Sequence, residues 1–275
     1  MRKRLLTILS LFIFSISLFS CATTNLDFSR DARDTFVKIK QNVSLTVCNP
    51  KNPKECLTKV SRSTGSGAVV MRTDEGSYVL TAGHVCSFER EMQLASEFSG
   101  SKIMVEMKAV NFSLGEYESD IISMDDTIDT CLLFAHNLFT TKVAKVAPYT
   151  TSLEPGERVY NVAAPVGIFY QDVVPLLEGF FMGNRDTRAY YSVPAMGGSS
   201  GSPIFNKDSE IVGMIHSVNV YFPVVSVSPP LKELRAFIVN GIRKNERLRL
   251  GEKKDRVVEP FWKGLGLSDM SDNSL

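Results

Sequence analysis

The sequence predicts an all-β protein closed by one long C-terminal helix, and three observations carry that expectation. Short apolar runs rich in β-branched residues recur from Val43 onward. Gly, Asn, Asp and Pro punctuate these runs at short intervals, the spacing of a sandwich or barrel. Late in the chain, Leu231, Leu234, Phe237, Ile238 and Ile242 fall on one face at helical spacing.

Composition narrows the classes. The 275 residues are 44% hydrophobic and 22% charged, enough for one or two globular cores. A net charge of +1 leaves no basic excess for nucleic acid. Mean hydropathy is close to zero, which excludes a bundle of membrane helices.

Taken in order, the chain opens with Arg2, Lys3 and Arg4 before an apolar run from Leu5 to Phe19, with Cys21 just beyond. A positive start, a short apolar core and small residues after it make an export signal over residues 1–21. The run is short for a spanning helix. Leu18-Phe19-Ser20-Cys21 resembles the lipobox of bacterial lipoproteins, which would make Cys21 the lipidated first residue and tie the chain to a membrane. Ordinary cleavage around Ser20-Cys21-Ala22 would instead release a free secreted protein. Either route delivers the chain to an oxidising compartment.

Residues 22–42 read as a spacer and a short charged helix. A first β-unit is expected over 43–148, including Ser44–Val47, Gly67–Met71, Tyr78–Leu80 and the alternating Ile103, Val105 and Met107. Tyr149–Gly156 reads as a linker into a second β-unit ending at 228. Ser228-Pro229-Pro230 then starts the helix of 229–250, with serine at the cap and proline in the first turn. A polar tail occupies 251–275, where Phe261, Trp262, Leu265 and Leu267 are candidates to dock.

Beyond Cys21 four cysteines remain, and they allow three full pairings. Cys48 and Cys56 flank the turn-rich Asn49–Pro53, which suggests a local clip. Cys86 and Cys131 then either pair or stay as buried thiols. With no C-x-x-C spacing and three histidines in all, neither a metal site nor a cofactor is expected.

The chemistry centres on Met196-Gly197-Gly198-Ser199-Ser200-Gly201-Ser202-Pro203. Its glycines let the backbone turn back on itself and aim N–H groups inward. A serine on such a turn is either turn chemistry or a nucleophile beside an oxyanion hole. A serine nucleophile needs a base, and the base needs a carboxylate to orient it. His84 follows the strand-like Tyr78–Thr81 at Ala82-Gly83-His84, where the ring projects from a rigid base. His136 lacks any motif, and His216 follows a strand-like run, where it is a candidate to line a pocket. Asp125 and Asp126 look like turn residues, whereas Asp129 runs straight into the apolar Cys131–Phe134. Partly buried there, it would need a hydrogen-bonding partner such as an imidazole.

Three blocks, Thr81–His84, Asp129–Leu133 and Gly198–Pro203, resemble the catalytic blocks of trypsin-like (chymotrypsin-fold) serine proteases, in that family's order. The bacterial heat-stress proteases and glutamyl endopeptidases are the nearest in flavour. Gly65–Val70, Gly156–Val159, Ala164–Gly167 and Ile211–Ile215 are similar to further stretches of the family, so the likeness spans about Ser61 to Ser217. It implies two six-stranded antiparallel β-barrels with a C-terminal α-helix. It also implies Ser200 as nucleophile, His84 as base, Asp129 as its orienting partner, and the N–H groups of Gly198 and Ser200 as oxyanion hole. Ser199 and Ser202 depart from the residues common there, and spacing to Gly201 and Pro203 favours Ser200 over its neighbour.

Pro194, Ile215 and His216 are the candidates to border the primary substrate pocket. No acidic residue stands near Pro194, so a taste for Lys or Arg is not implied. His216 lies one position further from the serine than the pocket histidine of glutamyl endopeptidases, and an odd shift along a strand turns a side chain to the other face. A small or medium apolar preference is therefore expected. The expectation is a serine endopeptidase acting on protein or peptide, exported and membrane-anchored through Cys21. Its rival is a catalytically silent protease-fold lipoprotein that binds peptides or envelope proteins. Oligomeric state is not legible.

Overall fold

The structure is a computed structural model that describes residues 32–252 apart from 50, 99, 172 and 220. The export signal with Cys21, and the tail from 253 with its aromatic pair, lie outside the described residues.

The first unit is a closed barrel in the order β1 (Phe36–Asn49), β2 (Asn52–Arg72), β3 (Gly76–Ala82), β6 (Thr130–His136), β5 (Glu116–Asp125), β4 (Lys102–Val110), with antiparallel pairing throughout. Its wall is set by β3, buried along its full length, and by β6, buried from Thr130 to Ala135. Their apolar runs fill the barrel and the face under the C-terminal helix, so neither strand alternates. β1 begins at Phe36, inside the segment read from sequence as spacer. Residues 32–35 are helical, and directly after them Phe36, Val37 and Ile39 are fully buried, so the apolar content of Phe36–Ile39 starts the strand ahead of Val43. Two short helices, α1 (Gly83–Cys86) and α2 (Glu89–Ser96), follow β3.

The second unit runs from β7 (Lys145–Val146) through β8 (Arg158–Val162), β9 (Leu176–Arg185), β10 (Arg188–Tyr191), β11 (Pro203–Phe205), β12 (Glu210–Met214), β13 (Ser217–Asn219) and β14 (Phe222–Ser228). Hydrogen bonding orders them β13-β14-β10-β9-β8-β11-β12-β7, with β7 parallel to β12. β12 and β13 are successive segments parted only by Ile215 and His216. The amide of Ile215 donates to Ser202 O and that of His216 to Val227 O. The sheet therefore returns on itself as β8-β9-β10-β14-β13/β12-β11, the same order as the first barrel.

α3 (Leu231–Glu252) leaves β14 and crosses back to the first barrel, where Leu234, Ile238 and Ile242 join its core. Near its far end, Tyr78 donates to Glu246 Oε1 (2.5 Å) and accepts from Asn245 (2.8 Å). Disulfides join Cys48 to Cys56 across the β1–β2 hairpin and Cys86 to Cys131 between α1 and β6. Among the described residues no helix is long and apolar enough to cross a membrane.

Candidate active site

The β3–β6 ladder places Thr81 opposite Cys131 and Ala82 opposite Thr130. One step beyond it, the amide of Gly83 donates to Asp129 O (2.9 Å). His84, two residues past β3, and Asp129, the residue just before β6, are thereby brought face to face. The His84 amide donates to Asp129 Oδ1 (2.7 Å), and its ring Nδ1 lies 2.8 Å from Oδ2. Both carboxylate oxygens thus serve one residue, backbone and ring. Asp129 adopts φ +48, a left-handed conformation that turns its carboxylate back toward α1. Gly83 permits this approach, since a Cβ there would lie 2.8 Å from Asp129 Oδ1.

Burial alone raises the Asp129 carboxyl; contact with the His216 ring and hydrogen bonds from the His84 ring and amide outweigh it and hold the group well below the usual carboxylate range. Asp129 is therefore a carboxylate at neutral pH. It favours the tautomer with the proton on His84 Nδ1, which leaves Nε2 with its lone pair. The His84 side chain is half exposed, so Nε2 is open to the cleft.

The serine loop is held against this pair by Ser66, a fully buried residue of β2. Its hydroxyl donates to Gly198 O (2.7 Å) and accepts from Ala164 N (3.0 Å). Its amide donates to Ser200 O (2.8 Å), and its carbonyl accepts from Thr81 Oγ1 (2.7 Å). Gly201 has φ +87, and a Cβ there would strike Ser66 O and Thr81 Oγ1. Gly198 has φ +94, and its Cβ would strike Ala164 O. Both glycines are demanded by close backbone approach as well as by the left-handed turn.

Within this turn the adjacent serines part company. Ser199 is buried; its amide donates to Met196 O and its hydroxyl accepts from Met196 N (3.3 Å). Ser200 is partly exposed. The amides of Gly198 and Ser200 donate to no acceptor among the described residues, whereas those of Ser199, Gly201 and Ser202 are all paired. No hydrogen bond joins Ser200 Oγ to His84 here; such contacts commonly tighten only with substrate bound.

The remaining candidates scatter. Pro194 is exposed, on a segment anchored where Ala195 N donates to Pro223 O. Ile215 is buried in the core of the second barrel. The ring of His216 stands beside Asp129 rather than alone on a pocket wall, with Nδ1 3.5 Å from Oδ2. His136 pairs with Asp120 on the surface. A cavity of about 600 Å³ lies between α3 and the β5–β6 turn, lined by Ser123, Ile128 and Phe237 among others, but not by His84, Asp129 or Ser200.

Sequence reasoning missed Ser66 and the approach of His216 to Asp129. Gly65-Ser66-Gly67 was a signal for the first, because glycines flanking a strand residue mark close backbone approach. Nothing local signals the second, which depends on two barrels meeting.

Two barrels of one strand order, with a His–Asp pair on the first and a glycine-turned serine on the second, define the chymotrypsin class of fold. The family model of the trypsin-like peptidase domain matches residues 65–214, and the chain belongs to that family. It is also 24% identical over 162 residues to a "Serine protease Do-like HtrA" of Lactobacillus helveticus. That match covers 55% of this chain and 35% of the relative, so the chain spans well under half of the relative's length.

Proposed function

We propose that the protein is a serine endopeptidase in which Ser200 is the nucleophile, His84 the general base and then acid, and Asp129 the group that orients and charges the base. The observation that carries this reading is the double contact of Asp129 with the amide and ring of His84. Ser200 Oγ attacks the scissile carbonyl carbon as its proton passes to His84 Nε2. The oxyanion that forms is held by the N–H groups of Gly198 and Ser200, which no protein acceptor occupies. His84 returns the proton to the leaving amine, the C–N bond breaks, and an acyl-enzyme remains on Ser200. Water activated by the same imidazole then releases the acid.

Segments 192–196, 215–219 and 222–228, which flank the serine loop, carry no acidic residue and no lysine or arginine. A neutral P1 side chain of small or medium size therefore suits the pocket. Export, and anchoring through a lipid on Cys21, complete the proposal and rest on the signal-like N-terminus. Labelling with palmitate would test the anchor, with Cys21→Ala expected to abolish it.

The decisive test uses a fluorophosphonate probe and peptide hydrolysis. Wild-type protein should be labelled on Ser200, and Ser200→Ala should lose about 10⁴- to 10⁶-fold in kcat. Ser199→Ala should keep both activities within about tenfold, since its hydroxyl makes one long hydrogen bond inside the turn. Hydrolysis that survives in Ser200→Ala would refute the assignment.

A further inference from the structure

Beside the face of α3 that joins the first core runs a groove of about 260 Å³, bounded by the helix and by Tyr149 of the linker after β7. Arg235 lines this groove although it is only 7% exposed. Its Nη1 donates to Val146 O (2.9 Å) and Ala147 O (3.0 Å). Nε and Nη2 donate to no acceptor among the described residues, yet neither is sealed from solvent, so both open on the groove. No carboxylate of the described residues lies within ion-pair distance of this guanidinium. Burial presses it below its ordinary range, and the more distant Glu210 and Tyr149 only partly oppose that shift. A guanidinium stays charged nonetheless, and a buried charge without a counter-ion is uncommon in a folded protein.

Two more cations border the same groove. Lys232 stands three residues before Arg235, a neighbouring position on a helix surface. Arg243 stands eight residues beyond Arg235, about 12 Å along the axis. Neither is ion-paired among the described residues. Glu233 belongs to the cavity on the other side of the helix. Between the cations the wall is apolar, made by Ala236, Val239 and the ring of Tyr149. One end therefore offers a lysine and an arginine fork, whose geometry matches the two oxygens of a carboxylate. The volume has room for one apolar side chain beside that carboxylate and is too small for the acyl chains of a lipid.

We propose that this groove binds the C-terminal end of a polypeptide whose last residue is apolar. The terminal carboxylate sits on Arg235 and Lys232, and the last side chain packs against Ala236, Val239 and Tyr149. The preceding residues leave toward Arg243. At about 3.3 Å per extended residue, an acidic side chain three or four places before the end reaches that arginine. The site is separate from His84, Asp129 and Ser200, and the inference does not rest on their roles.

The test is fluorescence anisotropy with a fluorescein-labelled hexapeptide that ends in leucine and carries glutamate three places earlier. The whole chain with Ser200→Ala is the host, so that the peptide stays intact. The free acid should bind saturably, and the same peptide amidated at its C-terminus should bind at least about tenfold more weakly, having lost charge-assisted hydrogen bonds. Arg235→Gln should weaken the free acid by about 10- to 100-fold. Because Arg235 also ties α3 to two carbonyls, Lys232→Glu at an exposed position is the second variant, and it should cost about tenfold without touching those bonds. Tyr149→Ala should shrink the preference for a leucine end over a glycine end. Equal binding of acid and amide, or unchanged binding in both Arg235→Gln and Lys232→Glu, would overturn the proposal. So would phosphatidylglycerol vesicles that bind through Arg235 and Lys232 while the free-acid peptide does not. Cleavage of the peptide by the Ser200→Ala host would defeat the reading of Ser200 alone, since the initial anisotropy still reports the groove.

Discussion

Ser66 shows how much one hydroxyl can organise. Fully buried, it links β2 of the first barrel to the Ala164 turn and the serine loop of the second. Replacing it with alanine leaves Gly198 O and Ala164 N buried and unpaired, at a cost of about 1–3 kcal/mol. Ser66→Ala is thus expected to lower the unfolding midpoint in denaturant and to slow acylation, because Gly198 carries an oxyanion donor in the proposed mechanism. A second expectation concerns Asp129. Its carboxyl is depressed in the folded protein, so below about pH 4 the unfolded chain binds a proton that the native state refuses. Stability from this group is present above the ordinary carboxylate range and is lost as pH falls through the lower folded value. Asp129→Asn should flatten acid unfolding in that window, and it should lower kcat by about 10⁴-fold through loss of the correct His84 tautomer.

At the level of elements, the β3–α1 turn and the start of β6 must stay in register for His84 to meet Asp129. The Cys86–Cys131 bridge locks that junction two residues beyond each of them, and it closes a span of 45 residues. Loop-closure entropy puts its contribution at about 4 kcal/mol, against about 2.5 kcal/mol for Cys48–Cys56, whose span is 8. The Cys86→Ser/Cys131→Ser variant should therefore melt well below the Cys48→Ser/Cys56→Ser variant. It alone should lose fluorophosphonate reactivity at temperatures where both remain folded. Gly201→Ala should be more severe than its size suggests, since the new methyl meets Ser66 O and Thr81 Oγ1 with φ already left-handed.

For the molecule as a whole, α3 is the tie between the barrels. Leu234, Ile238 and Ile242 extend the first core, while Arg235 Nη1 donates to Val146 O and Ala147 O at the junction. The Tyr78–Glu246 contact fastens the far end to β3, the strand that leads into His84. Ile238→Ala removes a side chain that is 1% exposed and is expected to cost about 2–5 kcal/mol. Chemical denaturation followed by fluorescence and by activity should show whether both barrels unfold together, as a shared helix requires.

Much of this was legible beforehand, for identifiable reasons. The helix of 231–242 declared itself by periodicity, and the β-content by short apolar runs between turn residues. His84, Asp129 and the glycine-rich serine turn stood out because each combines an unusual local setting with a chemically suited side chain. The start of β1 was obscured because its charged residues alternate outward on a strand and so imitate a polar spacer. Ser66 and the approach of His216 were not legible as partners, since their contacts join residues far apart in the chain.

By itself, then, the sequence determined the class of elements, their order and the residue types available for acyl transfer, because these follow from local periodicity and turn chemistry. Tertiary structure alone decided the buried link through Ser66 and that Asp129 is approached by two rings. Those choices are made where the two barrels touch. There, close backbone approach at Gly83, Gly198 and Gly201 and the buried hydroxyl of Ser66 fix how the serine loop lies against β2 and β3.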